Sequence, residues 1–596
     1  MQNILNNSTI RIIKQSIRRM SGNISESEKS LTSNQKIYPK PDKKRGAVAL
    51  VDENGFKVRK IQDVAQKTTA ENTDKTILEE DEDTKYIIDG KLRRTTPYFY
   101  TYMTYCKLRW RDRTLLDIFS NEFRLYPESY YVKALENGQV TLNGNKTNKD
   151  TVIRNGDLIC HRIHRHEPPV SSKPVKIVYQ DDKIVVIDKP SGVPVHPTGR
   201  FRHNTVTYIL KKEHGLNVHP CNRLDRLTSG LMFLGKTAKS AENMVDQIKN
   251  REVSKQYIAK VVGEFPINEI TIYKPVFTYD PRVSLNIVDE NKGKEAKTVF
   301  RRISYDGKNS IVLCKPFTGR THQIRVHLQY LGHPILNDPI YSSPDIWGED
   351  LGKNGNFDKD KVVSILEQVG KTLPTSSYLH RHVNREESGE LLSGKQCEIC
   401  GQDLYTDPDP NDLELYLHAY KYESNTDNTN NSKSWSYSTE LPDWAQENAK
   451  KYMQLSIEEA KKSEPTPTAF CVGALLVNGG KILETGYSRE LPGNTHAEQC
   501  ALEKYFTKYN TDKVPPGTEL YTTMEPCSLR LSGNEPCLDR VIKQDGNISS
   551  VFVGVMEPAT FVKNNVSYDK LSDAGINYIK VDGFEEEATQ IAAKGH

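Results

Sequence analysis

Apolar residues in roughly the first 90 positions are scattered among polar and charged residues without a helical or strand period. An acidic run, Glu79 to Asp83, lies near the end of this stretch. Such a pattern cannot bury a core, so it predicts a disordered N-terminal segment, residues 1–95.

A short unit, residues 96–168, follows this segment. Apolar residues at positions 115, 116, 118 and 119 predict a helix. The stretch from Gly138 to Gly144 predicts a hairpin or strand-turn, and residues 152–159 predict a turn leading into a strand. The pattern is that of a small module of mixed helix and strand.

Alternating apolar runs continue through residues 169–422, interrupted by helical patches at 204–212 and 238–248. This predicts a larger domain built on a mixed sheet. Residues 423–440 are rich in Asn, Ser, Thr and Lys, a composition that predicts a flexible linker.

The last unit, residues 441–596, alternates strand and helix signals. Strands are expected at 469–477, 481–487, 519–523 and 550–555, with helices after His496 and Cys527. This rhythm predicts a three-layer α/β/α sandwich. The chain as a whole is therefore expected to be multidomain, α+β in front and α/β behind.

Composition narrows the class of protein. The 596 residues carry 82 Lys plus Arg against 78 Asp plus Glu, so any nucleic-acid surface must be local. The apolar runs are strand-length, and no membrane span is expected. Ten cysteines without a secretory pattern favour metal binding over a disulfide framework. The sequence leaves the oligomeric state open.

The first residues carry a separate signal. Arg11, Lys14, Arg18 and Arg19 alternate with isoleucines, a pattern typical of a mitochondrial-targeting helix or of an ordinary basic tail. We therefore expect a cytoplasmic enzyme with a possible additional mitochondrial form.

The central motif is Asn222-Arg-Leu-Asp-Arg-Leu-Thr-Ser-Gly230. Flanking positive charge favours the ionised form of Asp225, although a surface turn with ordinary ion pairs would have the same sequence. Three further segments join it, beginning at Asp188 (DKPSGVPVH), Lys255 (KQY) and Pro316 (PFTGRTHQIRVH). In this order and spacing they resemble the RluA family of RNA pseudouridine synthases.

The resemblance implies that Asp225 is the catalytic aspartate, which acts without a metal or cofactor while uracil detaches from ribose, rotates and rejoins through carbon. Arg223, Tyr257, Arg320 and Arg325 would form the substrate side. Tyr257 would stack on the flipped base, and Arg320 would pair with the catalytic carboxylate.

Residue 325 shares a helix face with residue 322, so one of the two side chains is expected to be structural while the other meets phosphate. The family motif usually opens with histidine, where this chain has Asn222; we expect that position to tune the loop only. The unit at 96–168 resembles the S4-like RNA-binding module that often precedes this domain.

The second motif comprises His496-Ala-Glu498, Cys527 and Cys537, with nine residues between the two cysteines. One histidine and two thiolates supply three zinc ligands and leave a fourth position for water. Glu498 would move the proton between this water and a departing amine. The pattern predicts a zinc-dependent deaminase.

The long gap between the cysteines resembles riboflavin-pathway deaminases, which act on a free diaminopyrimidine carrying a phosphorylated ribityl chain. Arg530 and Asn534 lie in this gap and are the candidate substrate contacts. Arg530 would bind the phosphate; the alternative is that it forms an ordinary salt bridge within the protein. The gap is one residue longer than the common bacterial pattern.

A further set of metal-ligand residues lies between the two motifs. His380, His382, Cys397 and Cys400 form two ligand-like pairs, for which a structural zinc is one interpretation.

Synthase, linker and deaminase in this order resemble the fungal bifunctional riboflavin-biosynthesis proteins. That family implies tRNA uridine 32 as the first target and the phosphorylated ribityl-pyrimidine as the second. Two alternatives remain open: the rear domain edits a tRNA base, or the front part only binds RNA.

Overall fold

A computed structural model describes residues 84–123, 128–372, 392–425, 434–467, 469–530, 533–557 and 566–594. Within these ranges no helix is long and apolar enough to cross a membrane. The described residues form an N-terminal module, a large mixed sheet with its helices, and a smaller sheet sandwiched by helices.

The N-terminal module is built on a four-stranded antiparallel sheet in the order β3-β6-β4-β5. Its core surrounds Trp110, Phe119 and Tyr131. Its elements are β1 (Tyr86–Asp89), β2 (Leu92–Thr95), β3 (Tyr98–Tyr105), a 3-10 turn (Leu108–Trp110), α1 (Leu115–Ile118), a π-helical turn (Phe119–Phe123), α2 (Glu128–Glu136), β4 (Val140–Leu142), β5 (Asn145–Lys146), β6 (Leu158–Arg165) and β7 (Val170–Ser171).

The first two strands correct one prediction. Residues 86–95 lie in the segment 1–95 expected to be disordered, yet β1 and β2 form an antiparallel hairpin that also pairs with β7. Leu92 and Arg93 are buried there, and Gly90 provides the positive φ of the turn. The rest of the predicted segment, residues 1–83, lies outside the described residues.

The large domain is built on a mixed sheet of ten strands, counted over the described residues, with β13-β16-β17-β12-β20-β11-β9-β8 as its main path. Its elements are β8 (Lys176–Gln180), β9 (Ile184–Lys189), α3 (Val206–His214), β10 (His219–Pro220), β11 (Ser229–Gly235), α4 (Ala238–Lys249), β12 (Val253–Val262), β13 (Ile270–Tyr273), β14 (Val276–Asp280), β15 (Leu285–Val288), β16 (Lys297–Tyr305), β17 (Asn309–Pro316), α5 (Gln323–Tyr330), α6 (Pro344–Trp347), a 3-10 turn (Lys353–Gly355), α7 (Lys359–Thr372), β18 (Leu392–Gln396), β19 (Asp403–Tyr405), a 3-10 turn (Pro410–Leu413), β20 (Leu417–Ser424) and β21 (Ser436–Ser438).

The predicted linker 423–440 is partly strand. Residues 423–424 end β20, and β21 returns antiparallel beside it. Trp435 and Tyr437 stack on each other, and both rings contact Phe233 of the sheet edge-on. The two ends of the segment are therefore attached to the domain, while residues 426–433 lie outside the described residues.

The C-terminal unit has a five-stranded sheet in the order β23-β22-β24-β25-β26. Its elements are α8 (Asp443–Ala460), β22 (Gly473–Asn478), β23 (Lys481–Tyr487), α9 (Ala497–Tyr509), β24 (Thr518–Met524), α10 (Cys537–Ile542), β25 (Ile548–Val555), α11 (Ser567–Asp573), β26 (Asn577–Lys580) and α12 (Glu585–Ala592).

Alternate strand residues of this sheet face two helical layers. Leu476 and Val553 pack with α9, α10 and α11, whereas Leu475 and Phe552 pack with α8. This confirms the three-layer α/β/α prediction. The helix expected after Cys527 begins instead at Cys537, because the nine-residue gap forms a loop before the chain can turn helical.

The two large units share one apolar core. Ile258, Ile303 and Ile311 of the mixed sheet pack with Trp444 and Met453 of α8 and with the strands behind it. Gly480, at the β22–β23 turn, has φ 75°. A Cβ there would lie 2.4 Å from the Asp306 carbonyl oxygen, so this contact requires glycine.

Candidate active sites

Asp225 lies in the loop between β10 and β11. Its Oδ2 accepts a hydrogen bond from Arg325 Nη1 at 3.1 Å and lies 3.5 Å from His322 Nε2. Burial alone would raise the pKa of Asp225, but the charges of His322, Arg325 and Lys189 hold it below its ordinary value. The side chain remains 37% exposed, so an ionised carboxylate faces solvent.

The arginine that contacts Asp225 is not the one expected. Arg320 precedes α5, and its Nε donates to the Glu295 carbonyl at 3.0 Å. Arg325 lies within α5 and is buried. The prediction that Arg320 pairs with Asp225 is therefore wrong. The helix begins only at Gln323 and turns Arg325 inward instead. Residues 322 and 325 both contact one oxygen of this carboxylate, although His322 lies just before the helix, with φ 56°.

Asp338, which sequence reasoning missed, fixes Arg325. Its two carboxylate oxygens accept from Arg325 Nε at 2.6 Å and Nη2 at 2.8 Å. The backbone amides of Ile340 and Tyr341 donate to Asp338 Oδ1. A bidentate pair of this kind fixes both distance and orientation, leaving one guanidinium nitrogen for Asp225.

Lys189, at the end of β9, holds the loop that carries Asp225. Its fully buried Nζ donates to the carbonyls of Pro190, Val193 and Arg226 at 2.8, 2.9 and 3.1 Å. Three acceptors match the three N–H bonds of an ammonium group. The quoted segment DKPSGVPVH contains this lysine, but its role depends on a contact 37 residues away.

Tyr257 lies in β12 near Asp225. Burial raises the pKa of the Tyr257 hydroxyl to about 12, and the charge of Asp225 adds to the rise. Its hydroxyl lies 2.6 Å from that of Tyr422. Asn222, in the position where the family has histidine, accepts from the Phe233 amide at 2.9 Å. Its side chain thus braces the start of the loop. Arg223 is exposed beside it.

The second site brings together the three predicted zinc ligands. His496 Nδ1 lies 3.5 Å from both Cys527 Sγ and Cys537 Sγ. Tetrahedral bond lengths of roughly 2.0–2.1 Å to nitrogen and 2.3 Å to sulfur imply a separation of about 3.6 Å. One imidazole and two thiolates at these distances fit a zinc ion and leave one open position.

Glu498 lies in the first turn of α9, two residues after His496. It is 3% exposed, and Thr522 Oγ1 donates to its Oε1 at 3.0 Å. Burial raises the pKa of its carboxyl. A carboxyl group held beside an open zinc position can accept a proton from bound water.

Arg530 and Asn534 occupy the loop between the two cysteines. Arg530 is buried, and it donates to Gln499 Oε1 at 2.9 Å and to the Asn494 carbonyl. Both acceptors are uncharged, so these contacts are hydrogen bonds and not the salt bridge considered as the alternative role of Arg530. Asn534 is exposed.

The four residues proposed as a further metal set are not described together. His380 and His382 lie outside the described residues. Cys397 and Cys400 lie beside two other histidines, His164 and His166.

Two separate segments of the chain match two known families. Residues 183–330 match RNA pseudouridylate synthase, and residues 446–555 match the cytidine and deoxycytidylate deaminase zinc-binding region. Fold and sites thus define a pseudouridine synthase joined to a zinc-binding deaminase. The chain belongs to the pseudouridine synthase family. It is 52% identical over 424 residues to the mitochondrial tRNA pseudouridine(32) synthase of Saccharomyces cerevisiae. The aligned region covers 70% of this chain and 89% of the yeast protein.

The C-terminal unit has its own relatives. It is 49% identical over 149 residues to the diaminohydroxyphosphoribosylamino-pyrimidine deaminase of Schizosaccharomyces pombe. The aligned region covers 25% of this chain and 36% of that protein. A solved structure of the Rib2 deaminase of Aspergillus oryzae is 38% identical and covers 25% of this chain and 92% of its own, with a TM-score of 0.23.

Proposed function

We propose that this chain carries two activities. The front part isomerises uridine to pseudouridine in tRNA, at position 32 of the anticodon loop. The rear part removes ammonia hydrolytically from a 2,5-diamino-6-ribitylamino-pyrimidinone 5′-phosphate. The names of the two relatives support these substrates, and the two sites supply the corresponding chemistry.

The observation that carries the first activity is the pairing of Asp225 with Arg325. The ion pair keeps the carboxylate ionised in one orientation, and its exposed edge can reach the ribose of a nucleotide that has left its stack. Tyr257 offers an aromatic ring near the carboxylate, on which the flipped base stacks. Arg223 is exposed and available to phosphate. The chemistry needs no cofactor.

The second activity depends on the juxtaposition of Glu498 with the three ligands. When bound, zinc lowers the pKa of a ligand water and so supplies hydroxide at neutral pH. Glu498 takes the proton of that water and delivers it to the departing amine. Because its carboxyl is buried and hydrogen-bonded by Thr522, it is held in one position for both transfers.

The loop between the two cysteines contacts the substrate. Asn534 is exposed and contributes an amide to the ribityl phosphate. Arg530 positions the loop through Gln499 and Asn494, and its charge favours the phosphate from behind.

The compartment of the yeast relative, stated in its name, supports a mitochondrial form of this chain directed by its basic N-terminal segment. A cytoplasmic form accompanies it.

The test uses the full chain with two crossed variants. Asp225→Asn should abolish pseudouridine formation in a tRNA transcript, measured by primer extension after carbodiimide treatment, while retaining tRNA binding and ammonia release. Glu498→Ala should abolish ammonia release while retaining zinc and pseudouridine. Asp345→Asn, an exposed aspartate, is the matched control. If Asp225→Asn retained the wild-type rate, the first assignment would fail.

Substrate identity is tested in the same preparations. Ammonia release is measured with the reduced ribityl-diaminopyrimidine phosphate, with cytidine and with unmodified tRNA. Pseudouridine formation is measured with a tRNA that carries cytidine at position 32, which tests the first site. Turnover of the phosphate alone supports the proposal. Turnover of tRNA alone would make the rear part a tRNA-editing deaminase.

A further inference from the structure

A second group of metal-ligand side chains lies far along the chain from the deaminase cluster. His164 lies near the end of β6 in the N-terminal module and His166 directly follows the strand. The two are two residues apart and thus on the same side of the extended chain. Cys397 and Cys400 lie in the turn between β18 and β19. More than 230 residues separate the two pairs in sequence.

The distances fit one tetrahedral ion. His164 Nδ1 lies 3.5 Å from Cys397 Sγ, and His166 Nε2 lies 3.4 Å from Cys400 Sγ. All four ligand atoms lie within 4.8 Å of one another. Zinc bound to nitrogen and sulfur at its usual bond lengths places those atoms about 3.6 Å apart.

The turn that carries the cysteines has the backbone of a metal-binding knuckle. The Gly401 amide donates to the Cys397 carbonyl at 2.8 Å, and the Cys397 amide donates to the Gln402 carbonyl at 2.9 Å. Gly401 has φ 68°, which glycine adopts without strain. Both sulfur atoms are thereby held towards the two histidines.

The hairpin has no core of its own. None of the side chains described between residues 393 and 404 is buried, and Ile399 is 69% exposed. An isolated two-stranded hairpin is at best marginally stable in water. An additional attachment is needed to keep it ordered, and metal coordination provides one.

We propose that His164, His166, Cys397 and Cys400 bind a structural zinc ion that fastens the β18–β19 hairpin to the N-terminal module. All four coordination positions come from protein, so the ion has no open site for chemistry. It cross-links the module that precedes the catalytic domain to a hairpin within that domain.

Zinc content of the purified full chain tests the proposal. Wild type should contain two zinc ions per chain, and Cys397→Ser/Cys400→Ser should contain one while keeping wild-type ammonia release. Cys160→Ser is the matched control, because Cys160 is a free, half-buried cysteine on the same strand as His164. One zinc in wild type, or two in the double variant, would overturn the proposal.

A second measurement needs no variant. Zinc-loaded wild type should resist iodoacetamide at Cys397 and Cys400, and removal of zinc by a chelator should expose both to labelling, as read by mass spectrometry. Equal labelling before and after chelation would contradict a metal site. So would a Cys397–Cys400 disulfide in the zinc-loaded protein, because a disulfide leaves neither sulfur as a thiolate ligand.

Discussion

At the scale of single residues, the orientation of Arg325 is set by Asp338, a buried carboxylate. Asp338→Asn removes the charge that compensates the buried guanidinium and one of its two acceptor oxygens. Misplacing a catalytic group by about 1 Å can cost roughly 100-fold in rate. We therefore expect pseudouridine formation to fall by about 10- to 100-fold with ammonia release unchanged.

Initial rates on saturating tRNA measure this effect, and tRNA affinity is measured beside them. The exposed Asp345→Asn serves as control. A variant that retained the wild-type rate would show that Arg325 is held without Asp338.

Sequence motifs identified Asp225, Glu498 and the three zinc ligands by type and spacing. They could not distinguish Arg320 from Arg325, because both lie in one motif and only the start of α5 decides which turns inward. Asp338 carried no motif signal. An acidic residue a short distance after an arginine-bearing helix is the one hint that the sequence offers.

At the scale of elements, the loop between β10 and β11 is shaped by β9 through Lys189. Lys189→Met keeps the length of the side chain but leaves three carbonyls without their donor. Each carbonyl left unpaired in the interior costs about 1–3 kcal/mol. The variant should unfold at lower temperature and lose most pseudouridine formation, because the Arg226 carbonyl beside Asp225 is released.

Thermal unfolding and the pseudouridine assay check this expectation, with the exposed Lys183→Met as control. Unchanged melting together with unchanged activity would argue against the loop-holding role.

The elements whose bounds were predicted from local periodicity lie within a few residues of those observed: helices at 204–212 and 238–248, and strands at 469–477, 481–487, 519–523 and 550–555. The paired ends of the 423–440 segment were not predicted, because their aromatic partners are distant in sequence. Phe233 contacts both Trp435 and Tyr437, and Tyr179 contacts Tyr437. The histidine partners of Cys397 and Cys400 also depend on tertiary structure. Sequence proximity suggested His380 and His382, whereas the fold brings His164 and His166 to the cysteines.

At the scale of the whole molecule, the synthase and deaminase are joined by a buried interface that includes polar contacts. Ser550 Oγ donates to the Ile303 carbonyl, and Asn577 Nδ2 donates to the Arg302 carbonyl at 3.1 Å. Apolar residues of both sheets surround these contacts. The two active sites therefore belong to one body, although nothing in either site requires the other.

We expect Glu519 to make the stability of this interface depend on pH. It is 3% exposed, and its carboxyl accepts from the Tyr305 amide at 2.9 Å and from the Tyr521 hydroxyl at 2.7 Å. Burial, only partly opposed by these hydrogen bonds and by Arg302, raises its pKa to about 7, with Asp306 adding to the rise. The folded protein thus holds a proton that the unfolded chain loses near pH 4.5.

Because the folded state binds the extra proton, its stability should fall as pH rises from about 4.5 to 7, by up to roughly 1.4 kcal/mol per unit. Glu519→Gln keeps an acceptor and removes the titration, so its melting temperature should fall less between pH 5.5 and 8 than that of wild type. The exposed Asp512→Asn should behave like wild type. Equal falls in Glu519→Gln and wild type would mean that this carboxyl is already ionised at pH 5.5, and that the interface accommodates its charge.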